Sequence, residues 1–450
     1  MCVDNGMGGT TLFGGDLDGA GDAKSTKKVD GEARVKRPDR RQSLFRPQTF
    51  DQLIPPDHRA RAIVKFIEEM DLDLFYESIR SRGSEPGRPA TDPAMLISLW
   101  LFATSEGVGS ARQLERLCER DDAYRWICGG VQVNQHTLSD FRIGHSKALD
   151  DLLTRVLGVL THQGLVKLYR VSQDGVRVRA NAGAASFRRA EALGECLKAA
   201  REQVQHTKKL IDKDDPTRTD KMKESAARAA RQREKRVRKA MHELNALEAR
   251  QAERARKEEA KPPRASTTDP ESRVMRMADG GYRPAFNMQF AVDTDTRAIV
   301  GVGVTNSGSD AGQMVPMIDE VERRTDKTPK EWLADGGYTD LSDIQGAGQK
   351  GVKVYVPVPH PRSSEIDPHQ PKKNDDAQVA AWRKRMGTGQ AMEIYRERAS
   401  TSERTNADLR QHRGLRHLPV RGIEKTLMVG LWMAITYNVL LWIGENAATL

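Results

Sequence analysis

From about residue 186 to 260 the chain is charged throughout, yet its apolar residues keep a seven-residue rhythm that no β-sheet can absorb. Leu193, Leu197, Ala200, Val204 and Ile211 follow the four-three spacing, and Met222, Ala226, Ala229, Val237, Ala240, Leu244 and Leu247 nearly repeat it after "DKDDPTR". Pro216 lacks the N–H that a helix interior needs, so the segment is expected to fold as an antiparallel helical hairpin. On either side the period is two. "LYRVSQDGVRVRANAG" alternates Val176, Val178 and Ala180 with Arg177 and Arg179, a strand that carries Asp174. "PAFNMQFAVDTDTRAIVGVGVTN" places two alternating runs around turn residues 293–297, an antiparallel hairpin. A helix, "QMVPMIDEVERR", then precedes two short strands, "EWLA", which ends at Asp335, and "KVYVPV". The expectation is an α/β domain with a mixed sheet, interrupted by a coiled-coil-like insertion.

The flanks read as helical. Ile63, Phe66, Ile67 and Met70 share one face, and Thr91 with Pro93 starts the nearly all-apolar "TDPAMLISLWLFATSEG". "SARQLERLCERDDAYRWICGG" and "NQHTLSDFRIGH", with Ser110 and Thr137 as N-cap candidates, outline a helix-turn-helix, and Arg142, His145 and Lys147 are its candidate DNA contacts. Small helical bundles show the same outline without touching DNA. At the other end, Leu427 to Gly444 is barely long enough to span a membrane and contains Thr436, Tyr437 and Asn438, so it reads as a buried core helix. The glycine-rich N-terminus lacks the order of a signal peptide, and its "DAKST" has Ala23 where a phosphate-binding loop requires glycine.

The 73 Lys plus Arg against 63 Asp plus Glu leave a net charge of +10, which favours a polyanionic partner over an acidic small molecule. "RAARQREKRVRK", including Arg228 and Arg231, concentrates that charge on the insertion, either as a solvated face or as a contact for a DNA backbone. The four cysteines show no metal-ligand spacing and no disulfide framework, which points to a reducing, cytoplasmic setting. Among the carboxylates, Asp174 lies on the first strand and Asp335 just past a later one. Glu403 begins an expected helix with Ser400, Thr401 or Ser402 available to cap it. Taken singly, these are equally a strand-end residue, a turn opener and a first-turn helix carboxylate.

Together, "DGVRVRANAG", "GGYRPAFNMQFAVDTDTRAIVGVGVT", "LADGGYTD" and the block from Tyr395 to Gly422 resemble, in order, the DDE transposases of bacterial insertion sequences, most closely the insertion sequence 1182 group. "GRPATDPAMLISLWLFATSEGVGSARQLERLCERDDAYRWICGG" is similar to the helical domain these enzymes carry. The resemblance implies an RNase H-like catalytic domain in which Asp174, Asp335 and Glu403 hold Mg²⁺ or Mn²⁺, two ions in all. The family's block of Tyr, Arg, Glu and Lys falls on Tyr395, Arg398, Glu403 and Arg410, with arginine in the lysine position, and Asn406 and Ala407 stand where many relatives have Phe-Gly. Tyr395, Arg398 and Arg410 are then DNA contacts. Implied too are cleavage at the inverted-repeat ends of an element, joining of the 3′-OH ends to target DNA, and a homodimer when the ends are synapsed, with no membrane partner. A catalytically inactive DNA-binding regulator and an RNase H-like nuclease without joining activity are the alternatives. The expected organisation is a disordered leader at 1–42, an all-α, DNA-binding N-terminal domain at 43–164, catalytic segments at 165–185 and 263–422 around an insertion at 186–262, and a C-terminal core helix at 423–450.

Overall fold

The helix Pro93–Ser105 has no polar face, and such a helix persists in water only where other elements enclose it. A computed structural model describes residues 47–79, 81–82, 89–212, 219–253, 262–361 and 365–446, which from residue 48 onward form one compact unit. The leader at 1–42 and Pro216 lie outside the described residues. Arg59–Glu68 turns Ile63, Phe66 and Ile67 inward, with Met70 half-buried beside them. Ala111–Arg120, Asp122–Cys128, Gln135–Gly144 and Ser146–His162 add further sides. Ser110 caps the first of these as expected, but Asn134, not Thr137, caps Gln135–Gly144, accepting from the N–H groups of His136 and Thr137. The C-terminal helix Ile423–Glu445 is long and apolar enough to cross a membrane, yet 67% of its apolar stretch is buried inside the protein. It packs on Pro93–Ser105, on Ser146–His162 and on the sheet. The helical region at 43–164, expected as a domain of its own, therefore shares one continuous core with the sheet, running from Ile54 to Trp442.

The first strand, β1 (Arg170–Arg179), leads out of the sheet into the insertion. A short β2 (Phe187–Arg188) pairs with β3 (Ala265–Ser266) and closes the base of the insertion, and between them run the helices Ala190–Asp212 and Asp220–Glu253. They are antiparallel. Arg233 donates to Gln203 while Val237, Ala240 and Leu244 cluster with Leu193. The seam differs from the expected one in its second half. Met222, Ala226 and Ala229 are exposed, and Ala227, Ala230, Val237 and Leu244 are buried, so the seven-residue step from 230 to 237 to 244 is unbroken and the early positions shift by one. In the first helix Thr207 joins the seam after Leu193, Leu197, Ala200 and Val204, its hydroxyl satisfied by the Gln203 carbonyl, and the Ile211 side chain lies outside the described residues. The chain re-enters the sheet as β4 (Arg273–Arg276), β5 (Tyr282–Asp293) and β6 (Ile299–Thr305), and then adds β7 (Glu331–Leu333) and β8 (Lys353–Tyr355).

β5 lies antiparallel to β1 on one edge and to β6 and β4 on the other, whereas β7 and β8 run parallel to β1 on its far side. The mixed sheet is as expected. Its β5–β6 turn is held by Asp293, whose buried carboxylate accepts from the N–H groups of Lys167, Leu168, Asp295 and Thr296. Met314–Thr325 covers one face, where Gly301 leaves room for Met317: a Cβ there would meet its sulfur at 2.7 Å. The C-terminal helix reaches β6 through Asn438. This fully buried side chain accepts from the Ile299 N–H at 2.9 Å and donates to the Ile299 carbonyl at 2.9 Å.

Asn438→Leu keeps the volume but strands both backbone groups of Ile299, and should cost about 2–4 kcal/mol in urea unfolding. Thr436→Val, which removes a buried hydroxyl that has no partner, should leave the midpoint unchanged or raised. Equal midpoints for the two variants would remove Asn438 as the anchor of this helix.

Candidate active site

β7 pairs with β1 so that Arg170 faces Glu331, Val171 faces Trp332 and Ser172 faces Leu333. Extending this register by two residues sets Asp335 beside Asp174, at the roughly 4.8 Å spacing of neighbouring strands. Because β7 stops at Leu333 while β1 continues to Arg179, the two aspartates meet where the sheet opens. Asp335 also accepts from the Gly337 N–H at 2.8 Å and caps the tight turn Gly336–Tyr338, so the turn opener and the site carboxylate are the same residue. Burial pushes the Asp174 carboxyl up to about 6; Arg398 opposes the shift, Asp335 adds to it, and the Asn406 amide, donating at 3.0 Å, also opposes it.

Glu403 reaches the site differently from the expected way. It does not begin a helix: Gly389–Arg398 runs through a π-helical turn, Ala399–Glu403, straight into Arg404–Gln411. Thr401 and Ser402 hydroxyls donate back to the Glu397 and Arg398 carbonyls and cap nothing. The reason for the turn lies on β1. Arg170, Ser172 and Asp174 point to one face, and each bonds one residue of this helix: Glu397, Ser402 and Asn406 respectively. Four residues of strand and nine of helix both advance about 13 Å, so the two elements stay in step over this distance. The five-residue step from Glu397 to Ser402 needs the one extra residue that a π turn inserts.

Glu397 is tied into the sheet and is no isolated surface pair. Both its oxygens accept from Arg170 at 2.6 Å, and Arg170 is largely buried and also bonded to Glu331. Asn406, one of the departures from the family pattern, touches Asp174 itself, so that change lies at a carboxylate and is not confined to the neighbourhood of Arg410. Arg398 stacks over Tyr395 at 5.8 Å and is ion-paired with Glu403. Burial works against its charge, but Tyr395, Asp174, Glu403 and Asp335 outweigh that and hold its pKa raised.

Asp310, which sequence reasoning did not single out, lies beside these carboxylates. Its Oδ1 accepts from Asn287 at 2.6 Å and Gln289 at 2.8 Å, on a buried polar network that continues through Gln173 to Trp332. Tyr338 donates to Gln289, and its hydroxyl is held well above its ordinary pKa by burial and then by Asp310, Asp174 and Asp335. A signal was present: Asn287, Gln289 and Gln173 are polar residues at core positions of strands.

The remaining candidates separate. Lys147, Arg410, Arg228 and Arg231 are exposed. Arg142 is not a surface contact: only 7% exposed, it lies 4.6 Å from the Trp100 ring and donates to the Gly109 carbonyl, because the C-terminal helix covers that side of the bundle and Trp432 bonds the Arg142 carbonyl. His145 is packed between the Phe75 and Phe141 rings.

The donor set of Asp174, Asp335 and Glu403 is oxygen only, the kind that hard divalent cations prefer. Beside it the Asn406 Oδ1 is buried without a partner, an additional oxygen free to face a cation. Among the described residues no three His, Cys, Asp or Glu side chains close around a single point, and Arg398 supplies the positive charge there. Asp174 gives a pH signature. Its folded pKa is raised, so its contribution to stability is whole below about pH 4 and is lost, by up to roughly 3 kcal/mol, as pH rises through 6. Asp174→Asn escapes that loss. In EDTA its unfolding midpoint relative to wild type should climb between about pH 4 and pH 7; a constant difference would place Asp174 in water.

Residues 48–143 match the family described as a transposase domain, and residues 264–439 match the transposase DDE domain. The second match takes in Asp335 and Glu403 and begins beyond Asp174 and the insertion. No curated protein and no solved structure matches the chain. With the two matches in order and together spanning more than half of its residues, the chain belongs to the DDE transposases of insertion sequences.

Proposed function

We propose that this transposase, of the insertion sequence 1182 group, binds the inverted-repeat ends of its element as double-stranded DNA, hydrolyses phosphodiester bonds there and joins the 3′-OH ends to target DNA. The observation that carries the reading is the β1–β7 register, whose extension puts Asp174 beside Asp335, with Arg398, the ion-pair partner of Glu403, sharing its charge with both. A mixed sheet whose parallel half carries both aspartates supports an RNase H-like catalytic domain. Asp174, Asp335 and Glu403 would hold two Mg²⁺ or Mn²⁺ ions, which when bound activate water and stabilise the departing 3′ oxygen. Arg398 and Arg410 grip backbone phosphates, and Tyr395 supports Arg398 from below. Lys147 and the insertion extend the DNA contact, and synapsis of two ends calls for a homodimer acting on the nucleoid in the cytoplasm.

Charge on the insertion supports its part. Arg228 and Arg231 are exposed, and burial together with the neighbouring charges of Arg421 and Arg233 lowers the pKa of Arg236, as crowded cations do. Neutralising Arg228, Arg231, Arg233 and Arg236 should flatten the plot of log affinity against log salt by about 0.9 for each DNA phosphate that no longer meets a cation. An unchanged slope would return the insertion to a structural role.

Asp174→Ala, Asp335→Ala and Glu403→Gln should each abolish cleavage of end DNA in Mn²⁺ while gel-shift binding persists. Glu397→Gln serves as the contrast. It weakens the grip on Arg170, so it should lower the unfolding midpoint, by about 1–3 kcal/mol, and still cut. Cleavage by Glu403→Gln with none by Glu397→Gln would transfer the third carboxylate to Glu397, and a wild-type protein that binds ends without cutting them would be a regulator.

A further inference from the structure

We propose that Asp310 is a fourth carboxylate of the cation pocket, facing Asp335 across Gly337 and binding a divalent cation directly or through its coordinated water. This rests on the metal-dependent reading above and deepens it. Asp310 follows β6 and precedes the helix Met314–Thr325, between Asp174 and Asp335 in the chain. A Cβ on Gly337 would lie 2.9 Å from Asp335 Oδ1 and 3.4 Å from Asp310 Oδ2, so the two oxygens are no farther apart than those distances laid end to end. Glycine at this position keeps the space between them open.

Asp310 has one cation at the limit of ion-pair distance. Its side chain is only 13% exposed, its two short hydrogen bonds come from neutral amides, and both fall on Oδ1. The nearest cation, an Arg177 nitrogen, stands 3.9 Å from Oδ2. A buried carboxylate in such surroundings is costly unless a positive partner joins it. A second feature points the same way. Asn287, 1% exposed, gives its amide hydrogen to Asp310, while its Oδ1 is buried with no partner. A Cβ on Gly175, the residue after Asp174, would lie 2.8 Å from that oxygen and 2.6 Å from Asp310 Oδ1. Two oxygens, one charged and one unpaired, thus converge beside the backbone next to Asp174, together with the Gln289 amide nitrogen that donates to the charged one.

The opposing role is structural: Asp310 as a mere acceptor that orders Asn287 and Gln289. Mn²⁺ binding to the full-length protein without DNA, followed by titration calorimetry, separates the two, with unfolding in EDTA measured alongside. Asp310→Asn should lose one ion or bind Mn²⁺ at least tenfold more weakly, and should melt at or above wild type in EDTA because a repelling charge is gone. Asp295→Asn, at an exposed carboxylate paired with Lys167, should match wild type in both. Asp310→Cys should shift the ratio of Cd²⁺ to Mn²⁺ affinity towards Cd²⁺ at least tenfold relative to wild type, as a thiolate ligand would. Wild-type Mn²⁺ uptake by Asp310→Asn, a lower melting point or failure to fold, or no Cd²⁺ gain in Asp310→Cys overturns the proposal. If Asp335→Asn loses the cation and Asp310→Asn does not, this inference alone falls; if the wild-type protein takes up no Mn²⁺, the metal-dependent reading falls with it.

Discussion

One guanidinium references all three elements of the site to each other. Arg170 sits on β1 four residues before Asp174, grips Glu331 on β7, equally far before Asp335, and holds both oxygens of Glu397 on the helix that continues to Glu403. Arginine is suited to this because its planar fork presents separate pairs of N–H groups in fixed directions. Glu331 is further tied to β8 by the Tyr355 hydroxyl at 3.2 Å. Breaking a largely buried pair of this kind strands a charge, which is far more damaging than losing a surface pair. The strand register, and hence the placing of Asp174 beside Asp335, and the tilt of the helix all depend on it.

Much of the β framework was legible because a sheet with one buried edge and short turns writes itself as a period of two. The strand with Asp174, the 293–297 turn and the strand ending at Asp335 appear where alternation and turn residues put them. The antiparallel insertion was legible for the analogous reason, a period of seven. What stayed hidden was of two kinds. Local pattern gives no sign of a π turn, because "RERASTSER" reads as a break with serine and threonine caps, and only the spacing of β1 side chains forces the helix to continue through it. Long-range burial is equally silent: Arg142 looks like any basic residue on a small helical bundle until the C-terminal helix, almost three hundred residues later in the chain, folds over it.

The helical N-terminal region and the catalytic sheet are mechanically one body for the same cause. An all-apolar helix needs burial on every side, and the segment that finishes the burial of Pro93–Ser105 is itself clamped to β6 by Asn438. Arg413 adds a bond across the same boundary, from the loop after the Glu403 helix to the Ser105 carbonyl. A load on the helical region is therefore transmitted to the site through the end of the helix that carries Glu403 as well as through the sheet.

Arg398 sets the charge balance among the three carboxylates. It is shared among Asp174, Asp335 and Glu403, and without it two adjacent strand-end carboxylates and a helix carboxylate would repel one another in partly buried surroundings. Its charge is thus committed twice under the proposed function, once to the carboxylates and once to a DNA phosphate, and one guanidinium cannot satisfy both in full. Under that function Asp174, Asp335 and Glu403 would hold divalent cations that answer their charge, and the arginine fork, backed by the Tyr395 ring, would be available to the phosphate. The two binding events then support each other without any large movement of the backbone, because what changes is which negative group the same fixed side chain faces. Glu403, 47% exposed and ion-paired with Arg398, would be the carboxylate freed by that exchange.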